Sequence, residues 1–577
     1  MTDTFFRPPW TCGRYNKDNK VAIFYNNITG YSYFFEEVSA IIIGEVLSVE
    51  RNSIVDVNEI SNAYPITKEQ LVSFFDELTL EGLLVKSIQG DLEIGVYRDK
   101  VRKWRLSQTS FVDQPLEEKL YTDFSTAEKL YDKKAGAVTS VMFELTYRCS
   151  EMCIHCYNVG ATRNNQEVSH RGSLDELSLD EYKRVIDELY ALGMYKITFS
   201  GGDPFSNKYA WELIEYVYQK NIAISIFTNG LSIDSCKKLA DYYPRVIGIS
   251  IYSGLPEVHD YITRVKGSWN RSMSVISQLS ELSVPLEIKC CIMRPNFKSY
   301  YTIYEICRKY GAAPQLEVSI TDSIEGDQCA RDLRLSPEQL EVVLRDENLK
   351  LYVGKEIGDR GGGERLMSEN ACGAGETTFC LTPDGDLIPC CAFHLSFGNV
   401  REQSVSEILK SSKNKKYWNM LTLEDYEECG RYDYCNYCNL CAGVNYSEHG
   451  VPTKAGENNC YTAKVRYGLA SKLKQGDDPL MGKSLEERIS MFLDYQPINL
   501  ERKIMEKKIV LTESQFLDLG MKAFSELLEN KYVLSEANVL DVYKKLVNNN
   551  EVPEDELKEV QKRFRELLDY DAKERGF

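Results

Sequence analysis

No apolar run in these 577 residues approaches the length that crosses a bilayer; the best candidate, Ala40 to Ile43, is far too short. The opening stretch MTDTFFRPPW lacks a charged segment followed by an apolar one, so no secretory signal is visible. Basic residues are also in short supply: 69 Lys and Arg face 87 Asp and Glu, a net charge of -18. Such a surface repels phosphate backbones, which argues against nucleic acid as a partner. No internal repeat is present. These absences lead us to expect a soluble, cytoplasmic protein with neither membrane nor nucleic acid as a partner. A composition that is 43% hydrophobic and 11% aromatic excludes wholesale disorder, and the length predicts three or four domains.

Cysteine is what the chain has in excess. Of its 18 cysteines, eleven fall in two groups: Cys149, Cys153 and Cys156, then Cys372, Cys380, Cys390, Cys429, Cys435, Cys438, Cys441 and Cys460. In a cytosolic chain, clustering of this kind predicts metal ligation or redox chemistry rather than a disulfide framework. The remaining cysteines read mostly as small buried apolar residues.

Residues 1–95 read as a compact α+β module. Val21 to Tyr25 and Tyr31 to Phe35 are β-prone runs joined by a turn-rich link, Ser39 can cap a helix through Leu47, and Thr67 with Gln70 forms a capping box. Gly82 stops that second helix, and Leu83-Leu84-Val85 leads towards a small hairpin, giving a winged-helix topology. After a linker over 96–139, strand-like runs alternate with helices from 140 to 345: Val141 to Leu145, Lys196 to Phe199, Ala223 to Phe227, Val246 to Ile251, Leu286 to Ile292 and Leu316 to Ile320. The helices between them include Leu179 to Leu192 and Ala210 to Gln219. Alternation implies parallel strands with crossover helices, and six units fit a partial (β/α)6 barrel. A linker follows over 346–369, marked by Gly361-Gly362-Gly363. Residues 370–468 are Cys-rich and turn-rich, and 469–577 form a charged helical extension with helix entries at Thr512, Ser535 and Pro553.

Cys149-Ser-Glu-Met-Cys153-Ile-His-Cys156 is a C-x3-C-x2-C run directly after a predicted strand. Three thiolates on one tight loop can hold three irons of a 4Fe–4S cluster and leave the fourth open. A structural zinc site generally takes four ligands, and His155 is poorly placed to be the fourth. The run resembles that of the radical S-adenosylmethionine (SAM) superfamily, with His155 in the place of the family's aromatic residue. In that family the open iron chelates SAM, and electron transfer cleaves it to a 5′-deoxyadenosyl radical that abstracts a substrate hydrogen. Gly201-Gly202-Asp203-Pro204 resembles the family's GGEP segment, which contacts the SAM amino group, with Asp203 replacing Glu. By the same resemblance Thr228, Asn229 and Ser250, at later strand ends, and Arg264 are expected to bind SAM. Ser250 would meet the ribose or carboxylate, and Arg264 would pair with the carboxylate.

A turn at Pro383-Asp384-Gly385 would bring Cys372 and Cys390 together. With Cys429-x5-Cys435-x2-Cys438-x2-Cys441 and then Cys460, this region resembles the SPASM extension of radical SAM peptide maturases, which carries two auxiliary iron–sulfur clusters. Its intervals of five, two and two depart from the family's two, five and three. Matching the last long gap implies Cys372, Cys390 and Cys441 at a first auxiliary cluster and Cys429, Cys435, Cys438 and Cys460 at a second. Cys380 is a candidate fourth ligand of the first; Cys391 or an open iron is the alternative.

The N-terminal module is similar to the small PqqD-like domains that recognise precursor peptides of ribosomal origin. Its strand edge can accept an extended peptide as an added strand, and Glu69, Asp76 and Glu77 on the second helix disfavour DNA. The resemblance therefore implies an enzyme that modifies a ribosomally made peptide bound through its leader, supplied with electrons by a flavodoxin or ferredoxin. Thioether crosslinking from Cys sulfur is the expected reaction. Carbon–carbon crosslinking, epimerisation and formylglycine formation are alternatives, as is an iron–sulfur redox sensor without catalysis.

Overall fold

The computed structural model describes residues 4–109, 123–135, 138–158, 176–324, 328–349, 351–353, 367–368, 370–476 and 478–492. The chain divides into two compact units, Met1–Gln496 and Pro497–Phe577, and all described residues belong to the first. The expected glycine linker at 361–363 and the helix entries at Thr512, Ser535 and Pro553 lie outside the described residues.

The N-terminal segment contains β1 (Phe5–Phe6), β2 (Thr11–Asn16), β3 (Val21–Asn26), β4 (Tyr31–Glu36), α1 (Glu37–Ser48), β5 (Ile54–Val55), α2 (Val57–Ala63) and α3 (Lys68–Leu80). β2, β3 and β4 form an antiparallel sheet in that order. It has one strand more than expected, because the polar TCGRYN of β2 carries no apolar alternation to announce it. α1 begins two residues before Ser39, directly at the end of β4, and its first residue Glu37 takes a positive φ of 51°. Thr67 and Gln70 form the expected capping box of α3. The hairpin expected after Leu83 is absent; Val85 instead bridges Phe6, whose strand pairs with β5.

β3 is buried along its whole length, which explains its unbroken apolar run. Ala22 and Phe24 pack into a core with Ala40, Ile43 and Phe75, whereas Val21, Ile23 and Tyr25 pack with Tyr131, Ala135, Tyr195 and Ala223. Tyr131 and Ala135 belong to α5 (Asp123–Ala135), which follows α4 (Asp91–Thr109). Glu128 of α5 accepts hydrogen bonds from Tyr25 Oη (2.7 Å), Lys196 Nζ (3.0 Å) and Arg245 Nε (3.0 Å). Lys196 opens one barrel strand and Arg245 precedes another, so the module sits against the N-terminal ends of the strands. At the sheet's other margin, Gly13 N–H of β2 donates to Asn221 O at 3.1 Å. Among the described residues β4 has no strand on its outer side.

Six parallel strands follow with their crossover helices: β6 (Ser140–Glu144), α6 (Leu179–Ala191), β7 (Lys196–Ser200), α7 (Ala210–Gln219), β8 (Ala223–Thr228), α8 (Cys236–Asp241), β9 (Val246–Ser250), α9 (Pro256–Thr263), α10 (Ser268–Glu281), β10 (Leu286–Cys291), α11 (Thr302–Tyr310) and β11 (Ala313–Glu317). They lie side by side in sequence order, as a partial (β/α)6 barrel requires. On β7, Ile197 and Phe199 are buried while Lys196, Thr198 and Ser200 are half-buried, so one strand face is apolar and the other polar. The last strand starts three residues before the expected run at Leu316. Pro314 argues against a strand by sequence, but β11 has a neighbour on one side only, where proline is tolerated.

After α12 (Pro337–Val343), β12 (Thr378–Leu381) pairs parallel to β6 on the other side of the sheet, and β13 (Asp386–Ile388) and β14 (Gly398–Asn399) extend it antiparallel. The Pro383-Asp384-Gly385 turn forms as expected, with Gly385 N–H donating to Thr382 O at 3.0 Å and a φ of +96°. α13 (Val405–Ser411), α14 (Lys413–Met420), α15 (Ala442–His449), α16 (Glu457–Gln475) and α17 (Leu485–Ser490) complete the described chain. No helix among the described residues is long and apolar enough to cross a membrane.

Candidate functional site

The triad loop leaves β6 and is stitched to its surroundings through backbone atoms. Gly202 N–H donates to Thr146 O (2.6 Å) and Asp203 N–H to Arg148 O (2.9 Å). A Cβ on Gly201 would stand 2.3 Å from Thr146 O, and one on Gly202 2.3 Å from Arg148 O, so only glycine lets the two segments meet. From the other side, Met152 and Ile154 N–H donate to Thr263 O and Ile262 O, each at 3.0 Å, at the end of α9. Cys149, Cys153 and Cys156 thereby face one another, and burial together with mutual repulsion pushes the Cys149 and Cys153 thiols up.

The other expected residues gather unevenly around this loop. Thr228 Oγ1 donates to Asp203 Oδ1 at 2.8 Å, and Asn229 Nδ2 lies 3.4 Å from Cys149 Sγ. Ser250 ends β9 half-buried. Arg264 stands apart. Asp260 accepts from Gly267 N–H, Ser268 Oγ and Trp269 N–H and so shapes the loop, leaving Arg264 exposed in the left-handed region at φ 57°. Its guanidinium has no hydrogen bond to the group around the triad among the described residues, and the buried hydroxyls of that segment are those of Thr263 and Ser268.

Three features go beyond what the sequence shows. His155 packs half-buried against Tyr252 (ring centroids 4.8 Å), and burial lowers its pKa to about 4, so the ring is neutral. Tyr252 Oη lies 3.8 Å from Cys153 Sγ. Glu144, at the end of β6, has no exposed surface and receives the Tyr147 and Tyr157 hydroxyls at 3.3 and 3.5 Å; burial pushes its carboxyl up to about 8. A carboxylate at a barrel strand's C-terminal end was a signal available in the sequence.

Two further groups of cysteines converge. Cys429, Cys435, Cys438 and Cys460 line one recess that is partly open to solvent. Cys435 and Cys438 lie on the tight turn Asp433–Tyr437 and at its end, while Cys460 sits in the first turn of α16. Cys390 is flanked by Cys391, Cys441 and Cys372, which raise its pKa further above what burial alone does. Cys380 is wholly buried on β12 beside Glu144, Cys391 and Cys390.

Among the described residues no three His, Cys, Asp or Glu side chains converge as a single metal ion requires. Thiols spread around a larger volume fit a polynuclear iron–sulfur cluster instead. SAM also meets a fitting surface: Asp203 Oδ2 and Asn158 Oδ1 are buried acceptors with no hydrogen-bond partner, and Asn158 Nδ2 donates to Gly201 O at 2.9 Å. An ammonium group beside the glycine turn would satisfy such acceptors.

Residues 143–298 match the Radical SAM superfamily, and residues 372–442 match SPASM, an iron–sulfur cluster-binding domain. Residues 143–298 thus carry a Radical SAM domain and residues 372–442 a SPASM domain, which together imply 4Fe–4S clusters and SAM as cofactors. More particularly, the chain is 26% identical over 306 residues to the antilisterial bacteriocin subtilosin biosynthesis protein AlbA of Bacillus subtilis, covering 52% of this chain and 66% of AlbA. It is 26% identical over 387 residues to the mycofactocin maturase MftC of Mycobacterium tuberculosis (64% and 95%) and 24% identical over 331 residues to the AdoMet-dependent heme synthase of Methanosarcina barkeri (52% and 90%). The chain thus spans just under two thirds of AlbA's length. Among solved structures, Streptococcus suis SuiB bound to precursor peptide SuiA aligns with a TM-score of 0.48 at 14% identity, covering 79% of this chain and 99% of that one.

Proposed function

We propose that this chain matures a ribosomally synthesised peptide, forming thioether crosslinks from cysteine sulfur to peptide carbon. The observation that carries the reading is the antiparallel sheet β2–β3–β4, whose last strand β4 runs beside α3 through the Phe35–Phe74 contact (ring centroids 6.1 Å) and offers a strand edge to an extended peptide. An extended leader adding to that edge gains main-chain hydrogen bonds, with aromatic side chains to read its alternate residues. Similarity to AlbA and MftC, both named for biosynthesis or maturation of a product, favours the same direction.

In this reading Cys149, Cys153 and Cys156 hold the SAM-binding cluster, and Asp203 and Asn158 take up the SAM ammonium, with Gly201 and Gly202 keeping the backbone close. Thr228 orients the Asp203 carboxylate. When bound, cluster and SAM supply one electron and the carbon radical that removes a substrate hydrogen atom. Neutral His155 packs against Tyr252 and gives the triad loop an aromatic wall. Thioether closure then releases the thiol proton and one electron, and cysteines 372, 390 and 441, with 429, 435, 438 and 460, are proposed to hold the two auxiliary clusters as acceptors. A flavodoxin or ferredoxin supplies the incoming electron.

A second reading has one observation in its favour: the alignment with the heme synthase spans 90% of that relative. Anaerobic incubation with SAM and either a cysteine-rich precursor or an iron tetrapyrrole separates the two. The peptide reading predicts a product lighter by two hydrogen atoms per crosslink; an unchanged peptide beside a modified tetrapyrrole would replace it.

A further inference from the structure

A chain with a net charge of -18 carries, at residues 408–423, a run of the opposite sign: Lys410, Lys413, Lys415 and Lys416, with no Asp or Glu among them. The run covers the end of α13 and all of α14. Lys413, Lys416, Tyr417 and Met420 recur at helical spacing along one stripe of α14, and all four are exposed, Tyr417 at 47% and Met420 at 78%. Lys410, Lys413 and Lys416 have no ion pair among the described residues. Lys415 is half-buried under the influence of Glu376 and does not belong to the stripe. The preceding acid, Glu407, is turned back onto Ser404, accepting its N–H at 2.9 Å and its hydroxyl at 2.7 Å in the capping box of α13.

The underside of the same helix rests on two cysteine turns. Buried Trp418 donates from Nε1 to Ala374 O at 2.6 Å, in the turn after Cys372, and its ring meets Phe393 edge-on at 4.9 Å. Phe393 closes the turn after Cys390, its N–H donating to Cys390 O at 2.9 Å. Asn414 Nδ2 donates to Ser396 O at 2.7 Å and fixes the helix to that loop. A helix with its side chains is about 10 Å across, so a partner on the outer stripe comes within about that distance of both turns. An apolar centre of Tyr417 and Met420 bordered by lysines also has the anatomy of a docking surface.

We infer that this stripe docks a small acidic protein carrying a one-electron centre, and that electrons pass between that carrier and the first auxiliary site beneath α14. The inference rests on the proposal that Cys372 and Cys390 hold a cluster there. Each transfer oxidises one partner by one electron and reduces the other by one; no bond is made or broken and no proton moves. Charge selects the kind of partner. The enzyme as a whole repels an acidic protein, and the lysine stripe attracts it, so encounter is oriented as well as steered. A basic carrier would be drawn away from the stripe.

The test uses the full chain, reconstituted anaerobically, and follows SAM cleavage without peptide, so a wrong peptide assignment leaves it intact. Reduced acidic flavodoxin and reduced acidic ferredoxin serve in turn as protein donors, with dithionite as the small-molecule control. The wild type should cleave SAM with at least one protein donor, at a rate that falls as salt is added. Failure with both donors while dithionite works overturns the acidic carrier. The double variant Lys413→Glu/Lys416→Glu should raise KM for the carrier about tenfold, with dithionite-driven cleavage and melting temperature unchanged. An unchanged KM, or an equal loss with dithionite, overturns the docking surface, as does a variant that weakens binding of a precursor peptide and not of the carrier. If the double variant does not fold, Lys413→Gln and Lys416→Gln should each give a smaller rise, and no rise in either counts against the surface. Cys390→Ser should lower the ratio of carrier-driven to dithionite-driven cleavage. An unchanged ratio there, beside an intact lysine effect, would overturn the route through the first auxiliary site while leaving the surface standing.

Discussion

The triad loop and the second auxiliary recess both gather cysteines, yet they are held in place by different means. The triad loop is fastened by backbone hydrogen bonds to the Gly201-Gly202 turn and to the end of α9, on a barrel whose strands bury Val141, Phe143, Ile197 and Phe199. Its backbone is therefore fixed by the protein's own contacts. The recess of Cys429, Cys435, Cys438 and Cys460 lies among turns, with Leu423, Tyr426 and Tyr437 as its buried apolar support. With the ligand set proposed above, metal binding and local folding there would be coupled. The lesson is that the same ligand type can be a guest in one place and a structural member in another.

The largest expected effect comes from the triad loop. Cys153→Ala should lower SAM cleavage by roughly three orders of magnitude, about 4 kcal/mol, while the melting temperature stays near that of the wild type. Undiminished 5′-deoxyadenosine production would sink the radical SAM assignment of this loop. Cys435→Ala should invert the pattern: SAM cleavage per intact triad cluster persists, product formed per SAM cleaved falls by about tenfold, and thermal stability drops because the recess loses its metal. An unchanged product ratio would mean these cysteines do not take the departing electron.

The contrast also governs how much could be seen beforehand. The triad and the glycine turn were legible because ligands and backbone cradle are each contiguous in sequence. The placement of Arg264 was not legible: its left-handed backbone, beside the loop that Asp260 shapes, leaves it exposed, and a one-residue change of that kind leaves no mark in composition or spacing. Strand β11 was misplaced because Pro314 is tolerated only on an edge, and edges are a property of the assembled sheet.

Two smaller effects sharpen the comparison at the N-terminal module. Phe74→Ala removes the aromatic beside β4 and should weaken binding of a full-length precursor about tenfold, near 1.4 kcal/mol, with SAM cleavage in the absence of peptide unaffected. Fluorescence anisotropy with labelled precursor measures it, and wild-type affinity in the variant would argue against leader docking at that edge. Glu128→Gln acts on the contact between module and barrel. Burial opposes ionisation of Glu128, but Arg245 and Lys196 win and hold its carboxyl below the ordinary 4.5. Its contribution to stability is therefore complete above that value and is lost as pH falls through the depressed folded-state value. The wild type should melt a few degrees above the variant at neutral pH, for roughly 1–2 kcal/mol, and the gap should close in acid. A gap independent of pH would assign the effect to packing rather than charge.

The central claim is that the radical generated at Cys149, Cys153 and Cys156 takes a hydrogen atom from a peptide. Precursor peptides deuterated at individual carbon positions, incubated anaerobically with enzyme, SAM and reductant, test it most directly. Deuterium should appear in 5′-deoxyadenosine from one labelled position and match crosslinked product one for one. If no labelled position delivers deuterium while the same enzyme consumes SAM on an iron tetrapyrrole, the account is wrong about the substrate.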